Sequence, residues 1–97
     1  MNEIKIDGYV TNLKVYDTNN GKKMYRFGLK YYNGKDNEGK SKYAFINCKG
    51  FDLNVSDKQK VLVDGYLTGE EWTDKEGVKR TPTCVFVKSA EDVGVLR

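Results

Sequence analysis

Apolar residues in this chain recur at every second position, and clusters of Gly, Asn and Asp break the alternation at short intervals. A period of two sets one side of each segment against a core and the other toward solvent, the pattern of half-buried antiparallel strands. Ile4, Ile6, Gly8 and Val10 share one face of a first strand, after which Leu13 and Val15 take the opposite parity. A bulge near Thr11 and Asn12 accounts for the switch, because one extra residue reverses which side faces the core. The run Asp17-Thr18-Asn19-Asn20-Gly21 then supplies turn chemistry.

From Lys22 to Tyr32, the inward positions are Tyr25, Phe27, Leu29 and Tyr31, and the outward ones include Arg26, Gly28 and Lys30. Asn33 to Lys42 is polar and punctuated by glycine, which predicts a mobile hairpin loop. In Tyr43 to Lys49, Ala44, Ile46 and Cys48 face in, leaving Tyr43, Phe45, Asn47 and Lys49 outside. Phe51 to Lys60 is the only non-β candidate, one helical turn or an irregular connection, too short for a stable isolated helix. Val61, Val63, Gly65 and Leu67 alternate inward in a fourth strand expected to continue to Trp72, and Thr73 to Gly77 forms a further turn. A last strand is expected from about Lys79 to Ser89, with Val85 and Val87 inward and Pro82 marking an edge or bulge at its start. Five strands, with the connection between the third and fourth, predict an all-β, five-stranded Greek-key barrel, the OB-fold, as one domain over residues 1–97.

Two cysteines, Cys48 and Cys84, both sit inside apolar alternation and are expected to be buried and free. The sequence contains no histidine, which removes histidine-based catalysis and the usual zinc-finger ligand sets. The carboxylate pairs Glu70-Glu71 and Asp74-Glu76 have no accompanying nucleophile or convincing metal set, and no GK[ST] phosphate loop occurs. A non-enzymatic protein with no cofactor and no metal is expected. No apolar run approaches bilayer-spanning length and no leader pattern precedes the first strand, so the expected setting is cytoplasmic with no membrane partner.

Charge is unevenly spread: residues 1–50 carry a net +5 and residues 51–97 a net −2. Between Lys22 and Lys49 lie eight bases (Lys22, Lys23, Arg26, Lys30, Lys35, Lys40, Lys42, Lys49) against two acids, Asp36 and Glu38. The same stretch holds six of the twelve aromatic residues, interleaved with the bases. Cations neutralise phosphates and flat rings stack on unpaired bases, a pairing that suits single strands more than duplex. Rings in strands also serve cross-strand packing and lysine is an ordinary solubilising residue, so clustering by itself leaves both readings open. In an OB-fold the second and third strands and the hairpin loops form the ligand face, and these are the segments rich in cations and rings.

Three blocks of sequence resemble the single-stranded DNA-binding proteins of bacteria and their phages. Ile4-Lys5-Ile6-Asp7-Gly8-Tyr9-Val10 is similar to the family's first strand, and Asn20-Gly21 with Phe27-Gly28-Leu29 to its second. Val61-Leu62-Val63-Asp64-Gly65-Tyr66-Leu67, then Trp72-Thr73-Asp74-Lys75-Glu76-Gly77, then Lys79-Arg80, resembles the family's valine-rich strand, glycine and W-x-D-x-x-G hairpin. The resemblance implies sequence-independent binding and protection of single-stranded DNA during phage DNA replication and recombination. It also implies base-stacking roles for Tyr43 and Trp72. The segment Phe51 to Lys60 is shorter than the helix of bacterial members, and the chain stops at Arg97 without an acidic-tipped tail. A compact phage version, acting in the host cytoplasm, is the closer likeness.

The expected binding set is Lys22, Lys23, Arg26, Lys30, Lys35, Lys40, Lys42 and Lys49 on phosphates, with Tyr32, Tyr43, Phe45 and Trp72 on bases. The expected partners are single-stranded DNA, further copies of the chain as a dimer or tetramer, and proteins of replication or recombination. An RNA-binding OB domain and an OB-fold protein-interaction module are the alternatives, since fold alone does not separate them.

Overall fold

The computed structural model describes residues 1–69, 72–80 and 82–94, with Trp72 described for its backbone alone. Among the described residues there are seven strands: β1 (Ile4–Asp17), β2 (Lys23–Lys35), β3 (Ser41–Phe51), β4 (Lys60–Gly69), β5 (Trp72–Thr73), β6 (Lys79–Arg80) and β7 (Thr83–Asp92). Five of them close a barrel in the order β1-β2-β3-β7-β4, and β5 pairs with β6 in a separate two-stranded ribbon. Every barrel pairing is antiparallel except β3 with β7. This is the OB-fold that the strand count predicts.

Closure depends on β1, which pairs with β4 through Ile4–Tyr9 and with β2 through Tyr9–Asp17. The strand turns from one partner to the other at the expected bulge, where the register with β2 shifts between Thr11 and Lys14 and Asn12 takes a φ of 53°. Asparagine is among the side chains that tolerate that left-handed backbone best.

The three hairpin turns share one construction. In each, a first residue donates its N–H to the carbonyl four residues on and accepts from the N–H of a glycine three residues on: Thr18 with Lys22 and Gly21, Asp36 with Lys40 and Gly39, Asp74 with Val78 and Gly77. The glycines have φ of 81°, 81° and 80°, a conformation that costs other residues and that glycine adopts freely. In the second and third turns the sequence D-x-E-G repeats, and the aspartate Oδ1 also accepts the N–H groups two and four residues on at 2.8–3.0 Å.

The barrel interior holds Val10, Phe27, Leu29, Cys48, Val61, Val63, Val85 and Val87, all buried. Leu53 and Val55, from the segment between β3 and β4, join the same cluster. Each such side chain contributes roughly 1.5–3 kcal/mol by leaving water. Cys48 and Cys84 are buried and form no disulfide, as expected.

The structure corrects three local readings. Asn33–Lys42 is not a ten-residue loop: Gly34, at φ 85°, is absorbed in a bulge, Lys35 pairs with Ser41, and only 36–40 turn. Of the two readings of Phe51–Lys60, the irregular connection is the one found: Asp52 and Lys58 adopt left-handed φ of 51° and 69°, and Lys58 N–H and Gln59 C=O are bonded to Val10. Leu67 is exposed: β1 pairing ends opposite Gly65, and beyond it the Asn2 side chain bonds the Leu67 backbone at 2.7 and 2.9 Å without covering its side chain. The last strand is divided at Pro82 into β6 and β7; β4 is described to Gly69 and strand resumes at Trp72, and the expected continuation between them, through Glu70 and Glu71, lies outside the described residues. No helix among the described residues is long and apolar enough to cross a membrane.

Candidate nucleic-acid interface

Register across β1, β2 and β3 sets their outward side chains into tiers about 6.6 Å apart, two residues of strand rise. Lys14, Arg26 and Lys49 form one tier. Thr11, Gly28 and Asn47 form the next, then Tyr9, Lys30 and Phe45, and then Tyr32 with Tyr43 on β2 and β3. Below the cations, Tyr16, Met24 and Phe51 are aligned in the same way.

The rings on this face are open to solvent: Tyr32 is 54% exposed, Tyr43 49% and Phe45 63%. Tyr32 and Tyr43 meet edge to face with centroids 6.2 Å apart, and Lys30 Nζ lies 4.9 Å from the Tyr43 centroid. Rings held in that way are already oriented, so a stacking ligand loses little side-chain freedom in meeting them. Three cations abreast on neighbouring strands present a positive row that suits an anion laid across them.

Between the cation tier and the ring tiers the surface dips. A groove of about 440 Å³ is lined by Thr11, Asn12, Lys14, Tyr16, Arg26, Gly28, Phe45 and Asn47, with the edges of Phe27 and Cys48 at its floor. Gly28 makes this dip: a Cβ there would sit 3.0 Å from Thr11 Oγ1, which donates to the Gly28 carbonyl at 2.7 Å. A flat ring or a sugar can therefore approach the sheet backbone.

Six of the expected residues, Arg26, Lys30, Tyr32, Tyr43, Phe45 and Lys49, are brought together on this face. The others lie elsewhere. Lys23 is at the end of the first hairpin, paired with Asp17 at 3.0 Å; that hydrogen bond and charge hold its ammonium above the ordinary lysine value. Lys22 lies beside it with Nζ 5.8 Å from the Phe51 centroid. Lys35, Lys40 and Lys42 decorate the β2–β3 hairpin, Lys40 standing 4.0 Å from Glu38 and Lys42 on the side of β3 opposite Tyr43. Trp72 pairs through its backbone with Arg80 in the β5–β6 ribbon, and its side chain lies outside the described residues.

That ribbon is fixed by Asp74, whose side chain is 16% exposed and accepts from Arg80 Nε at 3.0 Å. Backbone N–H bonding, from Val78 above all, with Arg80 and Glu76, holds its carboxyl below the usual range against the opposing effect of partial burial. The W-x-D-x-x-G pattern thus encodes a turn-closing carboxylate and a left-handed glycine.

Sequence reasoning missed the share of β1. Lys14, Thr11 and Tyr16 border the groove, and their outward parity is set by the bulge at Asn12. The predicted parity switch carried that information, but which strand lies beside β2 on the ligand face follows only from closure. It also missed a second run of rings on β3, β7 and β4, where Phe86 lies between Phe51, 6.1 Å away, and Tyr66, stacked at 5.3 Å.

No curated protein matches the sequence. Among solved structures, the fold resembles that of Plasmodium falciparum SSB in complex with ssDNA, with a TM-score of 0.74 at 20% identity over 94% of this chain and 91% of that one. The sequence profile of the single-strand binding protein family matches residues 1–93, almost the whole barrel and its ribbon, and this chain belongs to that family.

Proposed function

We propose that this protein binds single-stranded DNA without sequence preference and shields it during phage DNA replication and recombination, as a non-enzymatic single domain in the host cytoplasm. The observation that carries the reading is the tiered outer face of β1, β2 and β3, where a row of cations is followed by an open groove and then by exposed rings. Phosphates lie along Lys14, Arg26, Lys30 and Lys49, and bases stack on Phe45, Tyr43 and Tyr32. Every base has a π face, so stacking tolerates any sequence, and each stack is worth about 1–3 kcal/mol. Family membership supports the same reading.

The hairpin lysines Lys35, Lys40 and Lys42 extend the positive field beyond the face, Lys22 and Lys23 add to it from the first hairpin, and Trp72, in the β5–β6 ribbon, is a further stacking residue. Self-association, as a dimer or tetramer, is supported by the exposed rings of Phe51 and Tyr66 on either side of Phe86, an apolar strip that leads from the foot of the binding face onto β7 and β4.

The test is a titration of equal-length labelled thymidine and uridine oligomers and of duplex DNA at low salt. Tightest binding to the thymidine oligomer is expected. Preference for uridine would assign the face to RNA, whose 2′-hydroxyl needs a dedicated site. Indifference to all three would assign it to a protein partner.

A further inference from the structure

Three surface depressions converge on Tyr9, a residue outside the cation-rich stretch of the sequence. One is lined by Tyr9, Val10, Thr11, Lys30 and Lys58. A second contains Tyr9 with Lys58, Gln59 and Lys60, and a third joins Tyr9 and Lys60 to Lys30, Tyr32 and Tyr43. Tyr9 is 44% exposed and is the one β1 residue whose backbone is in register with both β2, at Lys30, and β4, at Lys60. Lys60 Nζ lies 5.7 Å from its ring centroid. Lys58 is held alongside by its own N–H, which donates to Val10 C=O at 2.7 Å, and by Val10 N–H, which donates to Gln59 C=O at 2.9 Å. Neither Lys58 nor Lys60 forms an ion pair among the described residues.

We propose that Tyr9, Lys58 and Lys60 form a further nucleotide subsite, which carries the bound strand off the β2–β3 face and across β1. This rests on the single-strand reading above and adds a direction to it. The ring takes a base, and the two ammonium groups take the flanking phosphates. Lys30 joins the subsite to the main face, since it lies between Tyr43 and Tyr9. The carboxylates mark where the path stops. Asp7 stands at one margin and Asp92 at the other, the latter accepting the Gly94 N–H at 2.9 Å, and both repel a phosphate backbone. The cations here belong to the half of the chain whose net charge is negative, so only the barrel closure reveals them.

The experiment uses a thymidine oligomer of roughly 16 nucleotides, the upper end of what one such barrel covers, with 5-iododeoxyuridine substitutions for photo-crosslinking to rings. Irradiation of the wild-type complex should mark Tyr9 together with Tyr43 or Phe45. Tyr9→Ala should weaken binding roughly 5-fold or more, and Tyr9→Phe should not. Lys58→Asn combined with Lys60→Gln should make the log-log salt slope shallower by about 1.4, or 0.7 per lost phosphate contact. Asparagine is chosen because Lys58 has a φ of 69°. Crosslinks confined to Tyr43 and Phe45, with an unchanged slope in the double variant, would overturn the subsite and leave the main face standing. Failure of the wild-type protein to bind the oligomer would overturn both.

Discussion

Replacing Tyr43 with alanine separates what this ring does for the sheet from what it does for a ligand. In the free protein Tyr43 meets Tyr32 edge to face at 6.2 Å and lies beneath Lys30 Nζ at 4.9 Å. An aromatic pair is worth about 0.5–1.5 kcal/mol beyond its area, and an exposed cation–π contact about 0.5–1 kcal/mol. Their loss should lower the melting temperature by roughly 4–20 °C, since about 1 kcal/mol corresponds to 4–8 °C in a domain of this size. With the core untouched the variant stays folded at room temperature. Its binding should fall further: a base stack worth about 1–3 kcal/mol converts to roughly 5- to 150-fold in Kd. Fluorescence anisotropy of a labelled thymidine oligomer at fixed salt reads this directly. Tyr43→Leu is the informative companion, because it restores apolar bulk without a π face; it should recover part of the stability and none of the affinity. A folded Tyr43→Ala protein that binds within twofold of wild type, or a leucine variant that recovers full affinity, would refute stacking at this position.

Burial, with a smaller effect from Cys84 nearby, pushes the Cys48 thiol up to about 12, so the folded protein at pH 8 should resist alkylation at this cysteine and denaturant should abolish that protection. Mass spectrometry of iodoacetamide-treated protein checks it. The Asp74 carboxyl is held low in the folded ribbon, so its contribution is present above the ordinary aspartate range and lost as pH falls through its depressed folded-state value. An NMR titration of the Val78 amide and the Arg80 Nε–H should show both signals moving together in acid. At Gly8 an alanine Cβ would sit 2.4 Å from the Lys30 carbonyl oxygen, so Gly8→Ala must push β1 off β2 at the ligand face. Overpacking of this kind costs about 1–3 kcal/mol, so calorimetry should show a melting temperature lower by roughly 5 °C or more, with weaker oligomer binding.

The alternation of Val61, Val63 and Gly65, or of Phe27 and Leu29, was readable because a strand with one buried side must repeat every two residues. The bulge at Asn12 was readable for the same reason, as a break in parity. What escaped were features decided by partners distant in sequence. Gly34 looks like a turn glycine, yet a facing strand can take it up as a bulge, and Lys35 then pairs with Ser41. Leu67 has core chemistry and core parity, but β1 ends too early to cover it. At the binding face, Arg26, Lys30, Tyr32, Tyr43, Phe45 and Lys49 were legible because they lie on two neighbouring strands joined by a hairpin. Lys14 and Tyr16 were not, since they reach the same groove only through the β1–β2 register. Lys23 has the right charge, and its engagement with Asp17 follows from a strand pairing that composition does not report.

In the proposed complex an anionic strand lies across the tier of Lys14, Arg26 and Lys49 and the neighbouring Lys30. Counterion release makes this measurable: each phosphate contact contributes about −0.7 to the slope of log K against log salt for single strands. Titration of a thymidine oligomer over a range of sodium chloride should give a slope of at least about −2.8 in magnitude, made shallower by about 0.7 in each of Arg26→Gln and Lys49→Gln. Binding that does not vary with salt, or variants whose slopes match the parent, would contradict it.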